Sequence, residues 1–585
     1  MEVLRHVYDG RERGPLDDPA AAYVAGRLRI PHVGAPGILA RAKACAEECA
    51  RDHEACKAMP LEAAHLPRRL LDCSHSHRVR IVETDGNVRG RYIALSYVWG
   101  GPQPQRTTTA NLASYMLDGI DPGNLPQTIQ DAIRVARALG IRFLWIDSLC
   151  IIQDSAEDKH RELASMCDVY RHAYLTIDVA RATSVAEGFL QDCLPLYPHV
   201  VPLVLPPDRG DFPDKASNPE ARTAKVYLDP AHEDKMTRAE WLWGASQTAR
   251  RGWCLQEVLL SRRSLVFTHL TVQLRCQTAT QNVGGATHDG RHDFPRLPDS
   301  ILHPHRPVER GSEEWEQIHQ TWHRIVEDYS GRLLSYAEDK LVACAAIAEM
   351  FAPVLGPDYV AGLWHNSLPY DLLWRGPQWS DEPRPGHIHK DECAPSWSWA
   401  SFDGQVHYVT YADEKPFEPM VVAEVLECTV TLKDDALRYG PTRPGGVLVL
   451  RAQLCPCRCY HRQPGQTGNL DLEVVSLAPL QVLDRLRLEA SLDSEAGLCY
   501  TGASDQRTYL EVWTIPLVCD VSGARKGERV VDGLVVARAE QSTLSVAQQG
   551  HGTALYRRIG VFTGFWDIFY PGYFTHTPRV EITLI

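Results

Sequence analysis

The stretch FLWIDSLCIIQD, residues 143–154, decides the fold that this sequence predicts. Its first half is a run of apolar, β-forming residues that follows Gly140, and glycine commonly ends a helix. Its second half sets Asp147, Cys150 and Asp154 just beyond that run. The pattern predicts a buried strand whose carboxyl end delivers polar side chains to a surface crevice. Because ligands of open α/β sheets bind at that end, a functional site is expected there.

The segments around this stretch alternate between strand and helix patterns. Residues 91–101, RYIALSYVWGG, are a β-rich run closed by two glycines. Residues 125–140 carry apolar side chains at helical spacing, and so do residues 161–173. Residues 174–180, YLTIDVA, return to a strand pattern. Strands and helices that alternate with short connections predict right-handed crossovers and a parallel sheet.

Length and composition indicate a globular chain of several domains. At about 100 to 200 residues per domain, 585 residues predict two to four domains. The net charge of −13 and the lack of a Lys/Arg run argue against general nucleic-acid binding. No apolar stretch approaches the roughly 18 residues of a membrane span, and the first residues lack the apolar core of a signal peptide. We therefore expect a cytoplasmic protein whose 17 cysteines are thiols.

Changes in sequence texture predict four regions. Residues 1–85 are expected to be an N-terminal helical or irregular segment, and residues 86–280 an α/β domain. Residues 281–414 hold helical patterns and a Trp-rich segment, predicted to pack as a layer on that domain. Residues 415–585 contain short apolar runs separated by Gly/Pro turns, which predict a β-rich C-terminal domain.

Two groups of cysteines have the spacing of candidate metal ligands. Cys49, His53 and Cys56 fall on one face of a helix predicted over residues 37–59. They form either a metal triad or a set of packed core side chains, and a continuous helix favours packing because it offers no open loop. The second group alternates along a predicted strand, which spaces its thiols too widely to close around one ion. Its members are Cys455, Cys457 and Cys459. No metal ligand is assigned from the sequence.

Four ordered blocks carry a family resemblance: YIALSYVWG at 92–100, LPQTIQDAI at 125–133, FLWIDSLCIIQD at 143–154 and RGWCLQEVLLS at 251–261. With these blocks the chain resembles the fungal heterokaryon incompatibility, or HET, domain family over about residues 66–404. The resemblance implies a fungal cytoplasmic protein of nonself recognition and programmed cell death. Ile152 and Cys254 depart from residues common in the family, but neither departure removes a charged group.

HET domains are in turn similar, more distantly, to TIR domains, which implies a flavodoxin-like parallel sheet with helical additions. The block WCLQE, residues 253–257, resembles the TIR segment whose glutamate cleaves NAD at the nicotinamide–ribose bond. The resemblance implies that Glu257 is catalytic, because a carboxylate stabilises the oxocarbenium-like transition state of glycosidic cleavage. NAD would then be a substrate, and no bound cofactor is assigned. The substrate-binding side chains expected around Glu257 are Ser96, Trp99, Asp147, Asp154 and Trp253.

Each of these residues also has an ordinary structural interpretation. Glu257 is either catalytic or an ordinary helix carboxylate that is solvated or salt-bridged, with Arg250, Arg251 and Arg262 nearby in the sequence. Trp99 and Trp253 either stack on nicotinamide or anchor the core. Asp147 either lines the pocket, with Asp154 in the same wall, or caps the next helix. Ser96 is not within a GxSxG elbow, which favours a hydrogen-bonding role over nucleophilic attack.

Three classes of function remain open on the sequence alone. The first is a HET-type effector that binds NAD or a related nucleotide and hydrolyses its N-glycosidic bond. The second is a non-catalytic signalling or assembly module that self-associates or binds a protein partner. The third is a secondary-metabolism enzyme that uses the same crevice for a small organic substrate. Only the first and third require a reactive site.

Overall fold

The computed structural model describes residues 4–7, 26–27, 32–57, 66–84, 90–103, 105–193, 199–205, 222–229, 246–269, 271–283, 296–304, 306–334, 336–376, 394–408, 419–435, 437–460, 470–474, 487–492, 501–504, 507–520, 530–539, 554–565 and 577–585. The chain divides into two compact units, Met1–Asp299 and Ser300–Ile585. The four-region division expected from the sequence stays a prediction.

The helices of the first unit are α1 (Pro36–Asp52), α2 (Glu54–Lys57), α3 (Leu112–Leu117), α4 (Gln127–Leu139), α5 (Asp147–Cys150), α6 (Ala156–His172) and α7 (Gly252–Leu259), with a 3-10 turn at Pro122–Asn124. Its strands are β1 (Leu4–Val7), β2 (Gly26–Arg27), β3 (Arg69–Asp72), β4 (Arg80–Glu83), β5 (Tyr92–Ser96), β6 (Phe143–Trp145), β7 (Leu175–Asp178), β8 (His199–Leu205), β9 (Arg222–Asp229), β10 (Arg263–Phe267), β11 (Val272–Cys276) and β12 (Thr280–Asn282). A small sheet has the strand order β2-β1-β9-β8.

The main sheet of the first unit is mixed, with a parallel core. Its eight strands have the order β12-β11-β10-β7-β5-β6-β3-β4. The central strands β10, β7, β5 and β6 are parallel, whereas the outer strands pair antiparallel. The predicted parallel sheet is therefore correct for the core and wrong for both edges. The edge strands are short hairpin strands that need no crossover helix, so they leave no alternating β–α signal in the sequence.

Helices cover both faces of this sheet, because alternate residues of the central strands enter different apolar clusters. Ile93 and Leu95 of β5 pack with side chains of α1 and α4. Tyr92 and Ala94 pack on the opposite face with side chains of α6. Trp253 of α7 packs against this second cluster. Burial on both faces explains why the central strands are almost continuously apolar.

The remaining helices are α8 (Asp299–Leu302), α9 (Glu313–Ser330), α10 (Asp339–Leu355) and α11 (Leu368–Asp371), with 3-10 turns at His365–Ser367 and Trp399–Ser401. The strands of the second unit are β13 (Tyr359–Val360), β14 (Leu363–Trp364), β15 (Pro419–Val421), β16 (Glu424–Thr429), β17 (Val447–Gln453), β18 (Cys455–Tyr460), β19 (Leu470–Val474), β20 (Arg487–Leu492), β21 (Thr501–Ser504), β22 (Arg507–Asp520), β23 (Val530–Arg538), β24 (Leu555–Phe565) and β25 (Arg579–Leu584).

The C-terminal part of the second unit is β-rich, as predicted. Eleven strands form one sheet along the path β15-β22-β18-β19-β20-β24-β25-β17-β16, with β21 beside β22. Strand β23 pairs with both β22 and β24. The described strands β22, β18, β19, β20, β24 and β23 therefore form a closed ring of paired strands. Across the described residues, no helix combines the length and apolarity needed to cross a membrane.

Candidate functional site

Three parallel strands end side by side where the strand order reverses. β5 comes first in the chain, and β6 lies on one side of it and β7 on the other. Ser96, the last residue of β5, is aligned with Asp178, the last residue of β7. Asp147 comes directly after β6 and Ile146. In open α/β sheets such a reversal leaves a crevice at the carboxyl ends of the strands, where ligands bind.

Helix α7 brings Glu257 to these strand ends. The helix packs against β5 and β7, and the Glu257 side chain is only 9% exposed. The Ser96 hydroxyl and the Cys254 thiol lie against its carboxyl group. Ser96 Oγ is buried, and it makes no well-formed hydrogen bond to any of the described residues. The side chain is buried at the carboxyl ends of the strands, which contradicts a solvated Glu257. Whether Glu257 is catalytic or a salt-bridged helix carboxylate stays a prediction.

The protonation of Glu257 is shifted towards neutrality. Burial raises the pKa of Glu257 to about 7, and the negative charge of Asp147 contributes in the same direction. The Ser96 hydroxyl and the positive charge of Arg251 oppose this rise in pKa. A carboxyl group with a pKa near 7 is present in both protonation states at neutral pH. Shifts of this kind are typical of catalytic acids and bases.

Asp147 and Trp99 are joined by a hydrogen bond at the edge of this group. Trp99 Nε1 donates to Asp147 Oδ2 at 2.8 Å, and the Ser148 backbone N–H donates to Asp147 Oδ1 at 2.7 Å. Both Trp99 and Asp147 are half-buried. Burial raises the pKa of the Asp147 carboxyl, although these hydrogen bonds oppose the rise. Asp147 therefore orders the turn after β6 and also contributes its charge to the environment of Glu257.

The turn after β5 explains the first glycine of the pair in YVWGG. Gly100 has a φ of 70°, and a side-chain carbon at this position would lie 2.3 Å from Ser184 Cβ. The Val185 backbone N–H donates to the Trp99 carbonyl oxygen at 3.2 Å. The turn packs this closely on the segment after β7 only because Gly100 has no side chain. It fixes Trp99 at the edge of the site.

Arg251 and Tyr97 belong to the same group, although the sequence alone did not single them out as site residues. Arg251 Nη1 donates to the Tyr97 carbonyl oxygen at 2.7 Å. The Tyr97 hydroxyl donates to Ser148 Oγ at 2.9 Å. The signal was available, because Arg251 precedes Glu257 within the block RGWCLQE and Tyr97 precedes Trp99 within YVWG.

Two predicted site residues have other surroundings. Asp154 is exposed, and its carboxylate accepts hydrogen bonds from the backbone N–H and Oγ1 of Thr109, each at 2.8 Å. These bonds join the turn before α6 to the segment before α3, and a place for Asp154 in the pocket wall stays a prediction. Trp253 lies one turn before Glu257 on α7 and is half-buried against the apolar cluster that contains Tyr92.

A separate depression lies in the first unit. It is open, has a volume of about 320 Å³, and is lined by residues that include Arg78, Tyr115 and Asp121. Ser96, Asp147 and the other candidate site residues are not among its lining residues. The depression therefore does not coincide with the candidate site.

Side chains of the kinds that bind metals come together at two places among the described residues. The first group joins Cys49, His53, Cys56 and Cys276, and the second joins His319, His323 and Asp371. Cys455, Cys457 and Cys459 are buried along β18 and belong to neither group.

The second group is accounted for by hydrogen bonds within the protein. Asp371 Oδ1 lies 2.7 Å from His319 Nε2 and 2.9 Å from His323 Nε2. Its Oδ2 accepts from the Trp364 backbone N–H at 3.0 Å and from Ser367 Oγ at 3.1 Å. Burial lowers the pKa of His323 to about 4, so this imidazole is neutral at physiological pH. Four protein donors satisfy the carboxylate, and a metal ion is not needed to explain it.

The raised pKa of Glu257 predicts that the site destabilises the fold at alkaline pH. Because the folded pKa of about 7 lies above the unfolded value, the unfolded state loses its proton first as the pH rises. The free energy of unfolding should therefore fall between about pH 4.5 and 7, by on the order of 3 kcal/mol. Glu257→Gln removes this loss and should be more stable than the wild type at pH 8 but not at pH 5, as measured by urea unfolding.

Glu187→Gln provides a control of opposite sign. Hydrogen bonds from Thr183 lower the pKa of the Glu187 carboxyl, so its contribution to stability is present at neutral pH and lost in acid. This variant should be less stable than the wild type at pH 8, with the difference shrinking as the pH falls. A stability difference between Glu257→Gln and the wild type that does not change with pH would contradict the raised pKa.

Comparison with known proteins relates the α/β part of the chain to a family. Residues 92–257, from the first residue of β5 to Glu257, match the family described as heterokaryon incompatibility protein (HET). Over 94 residues the chain is 36% identical to heterokaryon incompatibility protein 6, OR allele, of Neurospora crassa, a stretch that covers 15% of this chain and 14% of that protein. No solved structure matches the chain. The chain therefore contains a region, residues 92–257, that is similar to the heterokaryon incompatibility family.

Proposed function

We propose that the chain acts in heterokaryon incompatibility, the fungal nonself recognition that ends in programmed cell death, and that its Glu257 site hydrolyses NAD or a related nucleotide. The family of residues 92–257 and the name of the Neurospora crassa relative support the first part. One observation supports the second part. Glu257 is buried where the strand order reverses, beside Ser96, with a pKa of about 7.

The order of the parallel strands supports a TIR-like interpretation of this domain. In chain order β5, β6, β7 and β10 are the first to fourth parallel strands, and across the sheet they run second, first, third, fourth. Flavodoxin-like sheets begin with this order, and they bind ligands beside the first and third strands. Ser96 and Asp178 end the corresponding strands here.

The proposed reaction breaks the bond between ribose C1′ and the nicotinamide nitrogen. The bonding electron pair leaves with nicotinamide and neutralises its pyridinium ring, while water adds to C1′ and releases a proton. Positive charge develops on the ribose ring in the transition state. An ionised Glu257 would stabilise that charge strongly, because the site is buried and solvent screens it little. Arg251 adds a positive charge that suits a ligand carrying phosphates.

Incubating the purified chain with NAD tests this function. We expect nicotinamide and ADP-ribose to appear in equal amounts, as followed by chromatography. NADH is the matched control substrate, because dihydronicotinamide is a much poorer leaving group than nicotinamide, and it should remain intact. A purified chain that neither binds nor consumes NAD or related nucleotides would contradict the enzymatic part of the proposal.

A non-catalytic assembly module is the second candidate, and the burial of Glu257 favours it. A side chain only 9% exposed leaves little surface for a substrate, and Asp147 is already engaged by Trp99 and Ser148. Under this alternative the group is a structural network, and a surface elsewhere recognises a partner. Cell death that persists on expression of Glu257→Gln would support the assembly module over the hydrolase.

A further inference from the structure

Four potential metal ligands that are far apart in the sequence come together beside the main sheet. The sulfur atoms of Cys49, Cys56 and Cys276 and a ring nitrogen of His53 all lie within 4.8 Å of one another. His53 Nδ1 is 3.3 Å from Cys276 Sγ. We propose that these four residues bind one structural Zn²⁺ ion as a Cys₃His site.

The spacing of the four atoms suits a tetrahedral ion. With Zn–S bonds of about 2.3 Å and Zn–N bonds of about 2.0 Å, the ligand atoms of such a site lie roughly 3.5 to 3.8 Å apart. The observed group is within about 1 Å of this spacing. Three sulfur ligands favour zinc over magnesium or calcium, which prefer oxygen. Four protein ligands also leave no open position, which is the composition of a structural rather than a catalytic zinc site.

The backbone around the first three ligands differs from the continuous helix predicted over residues 37–59. Helix α1 ends at Asp52, and His53 has an extended backbone with φ −88° and ψ 112°. The chain then makes the separate turn α2, which carries Cys56. The break removes the objection to a metal site, because the ligands no longer lie along one straight helix. They occupy the end of a helix and the turn after it.

The fourth ligand comes from the end of β11, 223 positions along the chain from His53. The Cys276 backbone N–H donates to the Ala279 carbonyl oxygen at 2.9 Å, and the Ala279 N–H donates to Cys276 Sγ at 3.3 Å. A backbone N–H aimed at a sulfur atom orients a thiolate and stabilises its charge. The metal would therefore clamp the end of α1 to the tight turn between β11 and β12.

Arg263 supplies the charge that balances this site. Three thiolates and one Zn²⁺ ion carry a net charge of −1, and Arg263 Nε lies 3.5 Å from Cys49 Sγ. The Arg263 side chain is only 1% exposed. Where the structure describes the chain, its other hydrogen bonds go to the carbonyl oxygens of Tyr174 and Cys56, and no carboxylate pairs with it. A buried guanidinium without a counter-ion is costly, and a zinc–thiolate group of charge −1 provides one.

Metal analysis of the full-length chain tests the proposal. After purification from zinc-supplemented medium without chelators, elemental analysis should find one zinc ion per chain. Cys276→Ser should lose most of this zinc. Cys73→Ser is the matched control, because Cys73 is buried in the same apolar cluster but does not belong to the metal-ligand group, and it should retain one zinc ion per chain. Full zinc in Cys276→Ser, or equal loss from both variants, would overturn the assignment.

A second measurement on the wild-type chain does not depend on how the variants fold. Removal of zinc by a chelator should lower the Tm by about 5 to 10 °C, and added zinc should restore it. Cobalt bound to the chelated chain should give the intense visible bands of a tetrahedral ion and sulfur-to-cobalt charge transfer. Octahedral cobalt spectra, no uptake of either metal, or a disulfide between two of the three cysteines would overturn the proposal.

Discussion

Replacing Glu257 by glutamine is expected to reduce kcat for nicotinamide release from NAD by about 10²- to 10⁴-fold. The transition state is positively charged on the ribose ring, and a neutral amide cannot provide the anion that stabilises it. Because the interaction strengthens mainly in the transition state, kcat and kcat/KM should fall together and KM should change little. Nicotinamide release would be followed by chromatography at several NAD concentrations.

The fold should tolerate this replacement. Glutamine has the shape of glutamate, and the Glu257 carboxyl is already largely neutral below its pKa of about 7. Glu157→Gln is the control for the chemical change, since Glu157 has a side chain that is 83% exposed on α6, and its kcat should equal that of the wild type. A Glu257→Gln variant that releases nicotinamide at the wild-type rate would remove Glu257 from the mechanism.

The pH dependence of the wild-type enzyme distinguishes an ionised from a protonated Glu257 in the reaction. If the carboxylate stabilises the transition state, kcat should rise as the pH increases through about 7, because burial raises the pKa of the group to that value. A rate that instead falls over the same interval would assign Glu257 the role of a general acid. The free energy of unfolding should change in the opposite direction to kcat as the pH rises. The pH that activates the site therefore also weakens the fold.

The core of the fold was predictable because its signals are local. Strands β5, β6 and β7 and the helices between them follow patterns that repeat within short windows of sequence. Gly140 ends α4 in a left-handed conformation, with φ 75° and ψ 23°, as a glycine at that position predicts. The position of Asp147 just after β6 followed from the same reasoning. Parallel strands joined by helices leave few alternative topologies.

The rest depends on contacts between distant residues, which leave no periodic signal. Cys276 joins the group around Cys49 from the other end of the first unit. No glycine or proline marks the break of α1 at His53 in the sequence. Strand β3 extends the sheet beyond β6. Its Arg69 donates to the carbonyl oxygen of Cys150, far along the chain. The local sequence gives no reason to expect that this charged residue is buried. Each is a tertiary preference that overrides local propensity.

Arg69→Met is expected to cost about 3 to 5 kcal/mol in the free energy of unfolding of the first unit. Arg69 lies on β3 and is fully buried. Its Nε donates to the Cys150 carbonyl oxygen at 2.7 Å, and its Nη2 donates to Asp158, and to Glu162 Oε1 at 3.2 Å. Methionine fills most of the volume but leaves the buried carboxylate of Glu162 without a cation, and that of Asp158 with only the half-exposed Arg68, whose Nη1 lies 3.8 Å from Asp158 Oδ1. Urea unfolding at pH 7 measures the loss.

Two further variants separate the cost of unpaired charge from that of lost packing. Arg161→Met breaks an exposed pair with Glu157, with an Nη2–Oε1 distance of 2.6 Å, and should cost less than about 0.5 kcal/mol. Adding Asp158→Asn and Glu162→Gln to Arg69→Met should recover at least half of the stability, because neutral amides need no counter-ion. If Arg69→Met costs no more than Arg161→Met, or if the triple variant recovers nothing, the buried ion pairs are not what joins β3 to α6.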